Sequence, residues 1–343
     1  MAMTRDFVFV SASGLHVSVT FDGESQTLLE FYREYDKAFV LPNEKEELAG
    51  FQECLALNHG AVHDTLSKRY GEFREPCFVA RETPEGPIVG GGNLIALPLE
   101  GRVTANLNYL FVSSAFRGKG FFRKVLGAAL ELTSRLFESP AAPLVFFEQN
   151  DPLAMSAEAY ARDTEATGID QVDRLRIWAR VGARLVDFDY VQPPLSEMHS
   201  ADHTLLYAVL GAEGPSIGSC LLAEHLSRFF AISVAKGKEL GGVAREQVEA
   251  LRELCTRGEE IALLEYGMYL SDVVGNNPVD ALKVRHKNLR SAVKSAALGS
   301  LHWTISLYID NDRLPARLRA ALDPTKAHSV QGMTESASLR DAI

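Results

Sequence analysis

The stretch NLNYLFVSSAFRGKGFFRKVLGAAL, residues 106–130, constrains the fold more than any other part of the chain. An apolar run of strand character stops at a small polar turn, passes through Arg117-Gly118-Lys119-Gly120, and restarts as an apolar helix studded with basic residues. Strand, glycine turn and helix in that order belong to folds that mix the two kinds of element. The same order makes a place for an anion. The first turn of a helix carries N–H groups without partners, and its dipole is positive there. Glycines let the main chain take positive φ and approach a ligand. Arg117 and Lys119 add charge beside those donors, and arginine can grip phosphate oxygens bidentately. FRGKGFF is built to hold a pyrophosphate, with the backbone N–H groups of Phe121 and Phe122 serving the phosphates whatever their rings do. It is neither a Walker loop nor a dinucleotide fingerprint, because GxxxxGK[ST] and GxGxxG are both absent.

Composition narrows the classes. The chain has 343 residues, enough for one large domain or two ordinary ones. A hydrophobic fraction of 46 % with 23 % charged residues implies a real core. The net charge of -10 argues against nucleic-acid binding, which needs a cationic face. Cys54, Cys77, Cys220 and Cys255 are scattered without CxxC or Cys/His spacing, so reduced thiols are expected, with no disulfide framework and no structural metal site. His59 and His63 have helical i, i+4 spacing, but without HExxH or a third ligand they read as a surface helix face; His199 and His203 lie in an acidic loop and read alike. The opening MAMTRDFVFV lacks the apolar segment of a signal peptide, and no apolar run reaches the ~20 residues that span a membrane. A cytoplasmic protein without membrane partners is expected.

Along the chain, FVFVSASGLHVSVT (7–20) alternates as a strand or hairpin. From Ser25 a helix follows, with Leu28, Phe31, Tyr35 and Phe39 at helical spacing and Pro42 as its stop. Further helices are expected over 44–58 and 59–70. CFVARE and IVGGGNLIALPL form a strand pair around TPEGP, and Gly90, Gly91 and Gly92 suggest a bulge or a close backbone approach. After the strand 105–112 and the helix 120–137, PLVFFEQN (143–150) reads as a buried strand. Asp173 is the expected cap of the helix DRLRIWARVGARL, and DFDYVQPPL and HTLLYAVLGA close the pattern as strands. Residues 216–236 read as one apolar helix, 244–256 as an amphipathic one, and IALLEYGMYL as helix or buried strand. A basic helix over 278–302 carries Lys283, Arg285, Lys287, Arg290 and Lys294; a solvated face, an acidic partner and an adenosine 3′-phosphate would each suit it. A short helix near 314–322 and a polar tail end the chain.

The order strand, R-x-x-G-x-(small), long apolar helix resembles motif A of the GCN5-related N-acetyltransferases, the GNAT family. Arg117 and Gly120 match, and Gly118-Lys119 fits the common R-G-x-G form; Phe122 stands where Gly or Ala is usual. The strand VFFEQN ends in Asn150, where the family often has a cofactor-contacting Asn. RIWARVGARL resembles motif B: Gly182 matches, Trp178 replaces the usual Tyr, and Ala183 replaces the aromatic. The resemblance covers residues 7–212. It implies an α/β (α+β) fold with a central mixed sheet flanked by helices. It also implies an acyl-CoA co-substrate, acetyl-CoA first, and no metal. Leu110, Phe111 and Val112 would line the pantetheine on the splayed strand, with a backbone N–H near Phe111 or Val112 as oxyanion donor. Arg117, Gly118, Lys119, Gly120, Phe121, Phe122 and Asn150 would complete cofactor binding.

Glu148 shares a strand face with Asn150 and is the candidate general base; a salt-bridged carboxylate is the alternative. Trp178 cannot give the departing thiolate a proton, because indole is a donor too weak in acid. Tyr190, then Tyr207, are the candidate replacements, against the alternative of strand packing. Asn108 and Tyr109 supply one substrate contact between them. The expected domains are 1–212, the acyltransferase; 213–325, a mainly helical extension acting as lid, dimerisation element or partner module; and 326–343, a flexible tail. Packing of the extension on the core is favoured, and a homodimer through the extension is one way to achieve it. The expected function is transfer of an acyl group from coenzyme A to a primary amine of a small molecule. The rivals are a longer acyl chain or a carrier-protein donor, and a silent acyl-CoA sensor or scaffold. Acidic loops (Glu44, Glu46, Glu47, Asp151, Glu158, Asp163, Glu165, Asp170) suit a cationic acceptor.

Overall fold

The strand signals condense into one sheet. The computed structural model describes residues 5–41, 45–194, 200–274 and 278–297. Pro42, Glu44, His199 and everything expected after 297 lie outside the described residues. The strands are β1 (Phe7–Val10), β2 (His16–Thr20), β3 (Cys77–Arg81), β4 (Ile88–Leu99), β5 (Arg102–Val112), β6 (Leu144–Asn150), β7 (Arg184–Val186), β8 (Leu205–Leu210), β9 (Ser216–Gly218) and β10 (Glu260–Leu264). Their order across the sheet is β1-β2-β3-β4-β5-β6-β8-β7-β10-β9. Every pairing is antiparallel except β5 with β6. That one parallel pair needs a crossover, and the helix after FRGKG supplies it.

The helices longer than five residues, among the described residues, are α1 (Gln26–Ala38), α2 (Leu48–Ala56), α3 (Gly60–Tyr70), α4 (Phe121–Leu136), α5 (Ala157–Thr167), α6 (Gln171–Ala179), α7 (Ser219–Phe229) and α8 (Gly242–Thr256). Ser25 caps α1 through its side chain, and Leu28, Phe31 and Tyr35 form the buried stripe the spacing predicts. Those rings meet Phe51 of α2 and Tyr109 and Phe111 of β5 in one aromatic cluster. A second core joins Phe73, Leu97, Phe146, Tyr207 and Val209 to Leu222, Leu226 and Phe229 of α7. So the apolar surface of α7 is covered by this chain's own strands.

Several expectations change. Asp170, not Asp173, caps α6: its carboxylate accepts from the N–H groups of Val172 and Asp173, and Asp173 falls in the first turn. The apolar run from 216 is not a single helix. Ile217 is buried in β9 opposite Ile261, α7 starts at Ser219, and a π-helical turn, Phe230–Val234, ends it. IALLEYGMYL opens as strand β10, held between β7 and β9. Hence the sheet runs past 212, and the first compact unit extends from Met1 to Val293, with Lys294–Ile343 forming a second. Cys220 and Cys255 are disulfide-bonded rather than reduced, because α7 packs on α8 and brings their Cα atoms to 4.7 Å. Cys54 and Cys77 are free and buried. Among the described residues, no helix is long and apolar enough to cross a membrane.

Candidate active site

Strands β5 and β6 pair only from Thr104–Leu144 to Asn106–Phe146. Beyond that point β5 stays on β4 as far as Val112 and β6 stays on β8 as far as Asn150, so the two part like the arms of a V. The cause is local. Asn93 faces Tyr109 while the next residue, Leu94, faces Leu107, which leaves Asn108 as the extra residue of a bulge. A bulge bends and twists its strand, here away from β6. The glycine run lets the other side of β5 come close: a Cβ on Gly90 would lie 2.5 Å from Phe111 O and 2.8 Å from the Val125 side chain of α4. The run thus marks a close approach, and bulges flank it at Ala80/Arg81 and at Asn93/Leu94.

A cleft of about 580 Å³ fills the V on the side of α4. Its floor is β5 from Leu107 to Val112, including Leu110 and Phe111. Its end is the first turn of α4. Gly118 and Gly120 take φ of +74° and +81°, left-handed conformations of the kind from which backbone anion nests are built. No side chain caps α4. Arg117, Gly118, Gly120, Phe121 and Phe122 all reach this cleft. Arg117 is already engaged, its guanidinium donating to Val112 O at 3.3 Å and Thr167 O at 2.9 Å, so it braces the end of β5 against α5. Lys119 is turned aside: its ammonium donates to Ala115 O at 2.8 Å and sits over the Phe116 ring. The cations that join Arg117 on the cleft wall are Arg123, Arg174 and Arg180. Arg123 could have been read from FFRK as a first-turn cation; Arg174 and Arg180 come from α6, and nothing local marks them.

The two departures from the family pattern meet. Trp178 packs edge-on against Phe122, 5.0 Å between ring centres, and lies 4.1 Å from Phe147. A large ring in the glycine turn is thus accommodated by a large ring at the usual tyrosine position.

On the other side of Glu148 lies a second, smaller cavity of about 180 Å³. Glu148, Asn108, Tyr109, Arg174 and Trp178 border both spaces. The Glu148 carboxylate accepts from Tyr190 on Oε1 and from Gln192 on Oε2 at 3.5 Å. Burial pushes it up to about 7, the Tyr190 hydrogen bond pulls it down, and Asp202 pushes it up further. Tyr190 itself is buried, stacked on Tyr207 at 4.5 Å, and reaches neither cavity; burial and Glu148 drive its phenol well above the usual range. It therefore positions Glu148 and is badly placed as an acid. Tyr207 lies deeper still, with its hydroxyl 2.7 Å from Asn106 Oδ1 and 3.0 Å from His225 Nε2. Asn150 borders the smaller cavity, and its amide donates to Asp163, a carboxylate that also holds Arg174 at 2.9 Å. His59 bonds Phe21 O through Nε2, and His63 lies 2.7 Å from Arg74. Among the described residues, no group of three His, Cys, Asp or Glu could hold a metal.

One acid was missed by sequence reasoning. Glu75, in the loop before β3, lines the smaller cavity, and burial pushes it up to about 7. Its neighbours Pro76, Cys77 and Phe78 give no warning, since the cavity it lines is assembled from distant segments.

No family model matches the chain, and no curated protein matches it. Solved structures with a similar arrangement include a Desulfovibrio desulfuricans protein described as a GNAT-family acetyltransferase, at 16 % identity and a TM-score of 0.34, covering 57 % of this chain and 98 % of that one. Another is the ribosomal-protein-S18-alanine N-acetyltransferase of Escherichia coli, at 15 % and 0.31, covering 58 % and 96 %. A third is an aminoglycoside acetyltransferase from an uncultured soil sample, at 21 % and 0.28, covering 44 % and 88 %. At TM-scores this low, nothing about the chemistry follows from the likeness.

Proposed function

We propose that the chain is an acyl-CoA-dependent N-acyltransferase of the GNAT type, carrying an acyl group, acetyl first, to the primary amine of a small molecule in a ternary complex. The observation that carries this is the junction at Glu148. A glycine-turned, uncapped helix end stands at one end of the cleft between β5 and β6, and a carboxylate poised near neutrality stands where that cleft meets a second cavity. The first turn of α4, with Arg117 and Arg123 beside it, suits a pyrophosphate. The parted strands suit an extended pantetheine arm, since β5 beyond Asn106 has no strand partner on that side.

The chemistry follows from the chain's own groups. An amine enters as an ammonium ion and must lose a proton before it attacks; Glu148 is the group to take it. A backbone N–H of β5 near Phe111 or Val112 stabilises the oxyanion. The leaving thiolate is only modestly basic, with a pKa of about 8.5 by analogy with cysteine. Trp178 gives no proton and Tyr190 is occupied behind Glu148, so expulsion proceeds without a side-chain acid.

The test is calorimetric titration with acetyl-CoA and desulfo-CoA, followed by thiol release in the presence of amines. Binding that weakens in Arg123→Ala, with amine-dependent thiol release, is expected. No binding by the native chain would remove the cradle, and binding without release on any amine would leave a silent acyl-CoA binder.

A further inference from the structure

The acceptor side of this site holds a carboxylate that the transfer step does not use. Glu75 is 1 % exposed, yet it lines the same cavity as Glu148. The surrounding chain is arranged to hold it still. Asn58 clamps its backbone, accepting from Glu75 N at 2.9 Å and donating to Glu75 O at 3.0 Å. Ser233 donates to Oε2 at 2.9 Å, and the bulged Asn108 donates to Oε1 at 3.3 Å. The Cys54 thiol adds a weak third donor, so the four lone-pair sites of the carboxylate are not all taken. Among the described residues, neither Glu75 nor Glu148 has an ion-pair partner.

The nearby cations are committed elsewhere. Lys236, whose positive charge is felt by Glu75, pairs with Glu46 at 3.3 Å and Glu53 at 3.4 Å. Arg174, at the cavity wall, is held by Asp163 and by Thr167 Oγ1 at 2.9 Å. Asp202 adds another carboxylate to the lining, and Cys54 contributes no charge, since burial raises its thiol well above the usual range. The remaining walls include the aromatic residues Phe39, Phe51, Tyr109 and Trp178. Aromatic faces attract cations, and a buried carboxylate without a counter-ion is costly until one arrives. The carboxylates and the rings are separate features, and both call for positive charge in the cavity.

We infer that Glu75 is a second cation anchor in the acceptor cavity, so that the acceptor is a diamine, or an amine bearing another positive group, with one nitrogen at Glu148 and the other at Glu75. This rests on the acyltransferase reading. The second charge fixes which end of the acceptor lies at the base, and so acts on substrate choice rather than on proton transfer. A bound cation also draws Glu75 into its ionised form, because an opposite charge at contact lowers a carboxyl pKa.

The probes are diaminobutane and butylamine, which share a chain length and differ by one charge. Steady-state rates with acetyl-CoA are measured for the native protein and for Glu75→Gln. The native chain is expected to favour the diamine in kcat/KM, and Glu75→Gln to reduce that preference about tenfold, with KM carrying the change. Equal treatment of both amines by the native chain, or a preference untouched in Glu75→Gln, would overturn the proposal. Calorimetric binding of diaminobutane separates this from failure of the parent reading. Absence of thiol release with diaminobutane still bound, and lost in Glu75→Gln, keeps the anchor and removes the enzyme. Absence of binding removes the anchor. Thermal melting checks that the variant folds; should it not, Glu75→Asp, which keeps the charge but shortens the reach, is expected to weaken the diamine preference part-way, and an unchanged preference there counts against the anchor.

Discussion

Glu148→Gln tests the proposal that this carboxylate is the base. Burial raises the Glu148 carboxyl from the ordinary 4.5 to about 7, against the pull of the Tyr190 hydrogen bond. A general base works only when ionised, so kcat/KM of the native chain should climb through about pH 7 and then level off. Glu148→Gln keeps the shape and loses the base. It should cost roughly a hundred- to ten-thousand-fold in kcat, the usual worth of positioned proton transfer, and abolish that limb of the profile. Stability moves the other way. The fold prefers the protonated carboxyl, so this group's contribution is full below the unfolded pKa of 4.5 and is lost as pH rises through about 7. At about 1.36 kcal/mol per pH unit, the loss comes to at most roughly 3 kcal/mol. Glutamine never ionises and escapes it. Urea unfolding near pH 5 and near pH 8 should show the native chain losing about 2–3 kcal/mol more than the variant across that interval. Glu75, raised in the same way, contributes to both proteins alike and cancels in the difference. A Glu148→Gln protein that kept its rate within a few-fold, with the limb near pH 7 intact, would refute the assignment.

Two further outcomes are open to simple assays. Tyr190→Phe removes the hydrogen bond that holds the Glu148 pKa down, so the rising limb of kcat/KM should move to higher pH; a limb that stays put would mean Tyr190 does not bear on the base. Reducing the Cys220–Cys255 bond, or replacing Cys220 by serine, releases a loop of sequence separation 35 and should cost about 3–4 kcal/mol in chemical unfolding. A protein indifferent to reductant would show that α7 and α8 hold each other without it.

What the sequence made legible was local. The strand, turn and helix of 106–130 could be read because periodicity, glycine and charge all fall within one segment. The hairpins and the stripe of α1 were legible for the same reason. The parting of β5 from β6 depends instead on a bulge, which exists only as a mismatch of register between Asn93–Leu94 and Leu107–Tyr109. β10 spans five residues, too short for its period to speak, and became a strand because β7 and β9 flank it. The apparent domain boundary near 212 was a change of texture along the chain, whereas the sheet is continuous across it. Candidate site residues divide likewise. Glu148 and the glycine turn could be named from their strand and their spacing. Glu75, Arg174 and the engagement of Tyr190 could not, since each depends on segments brought together from far along the sequence. Lys119 was named for its charge, and a nearby carbonyl at Ala115 took its ammonium.

The bulged residue ties the cleft to the core. Asn108 Oδ1 accepts from Asn106 Nδ2 at 2.9 Å, and its own amide donates to Asn93 Oδ1 at 2.8 Å and to Glu75. Asn106 in turn accepts from Tyr207, which meets His225 Nε2, and His225 Nδ1 lies 2.9 Å from Thr104. Burial pushes His225 down to about 3, so the ring stays neutral and can accept on one nitrogen while donating on the other. One polar chain therefore runs from Thr104, where β5 is still paired with β6, to Glu75 at the smaller cavity. Its members are buried or half-buried, so each depends on the next for a partner. Asn108→Ala removes three of these bonds at once and strands Asn93 and Asn106 without them. At about 1 kcal/mol for each bond, and more for a group left unsatisfied, the loss should be roughly 3–5 kcal/mol in urea unfolding. The same variant should impair turnover of an amine more than affinity for coenzyme A, because the cradle on α4 is built from backbone that Asn108 does not touch. If the variant were as stable as the native chain, the bulge would owe its place to the glycine approach of β4 alone, and the polar chain would be a passenger. If coenzyme A affinity fell as far as turnover, Asn108 would be holding the strands apart rather than the acceptor in place.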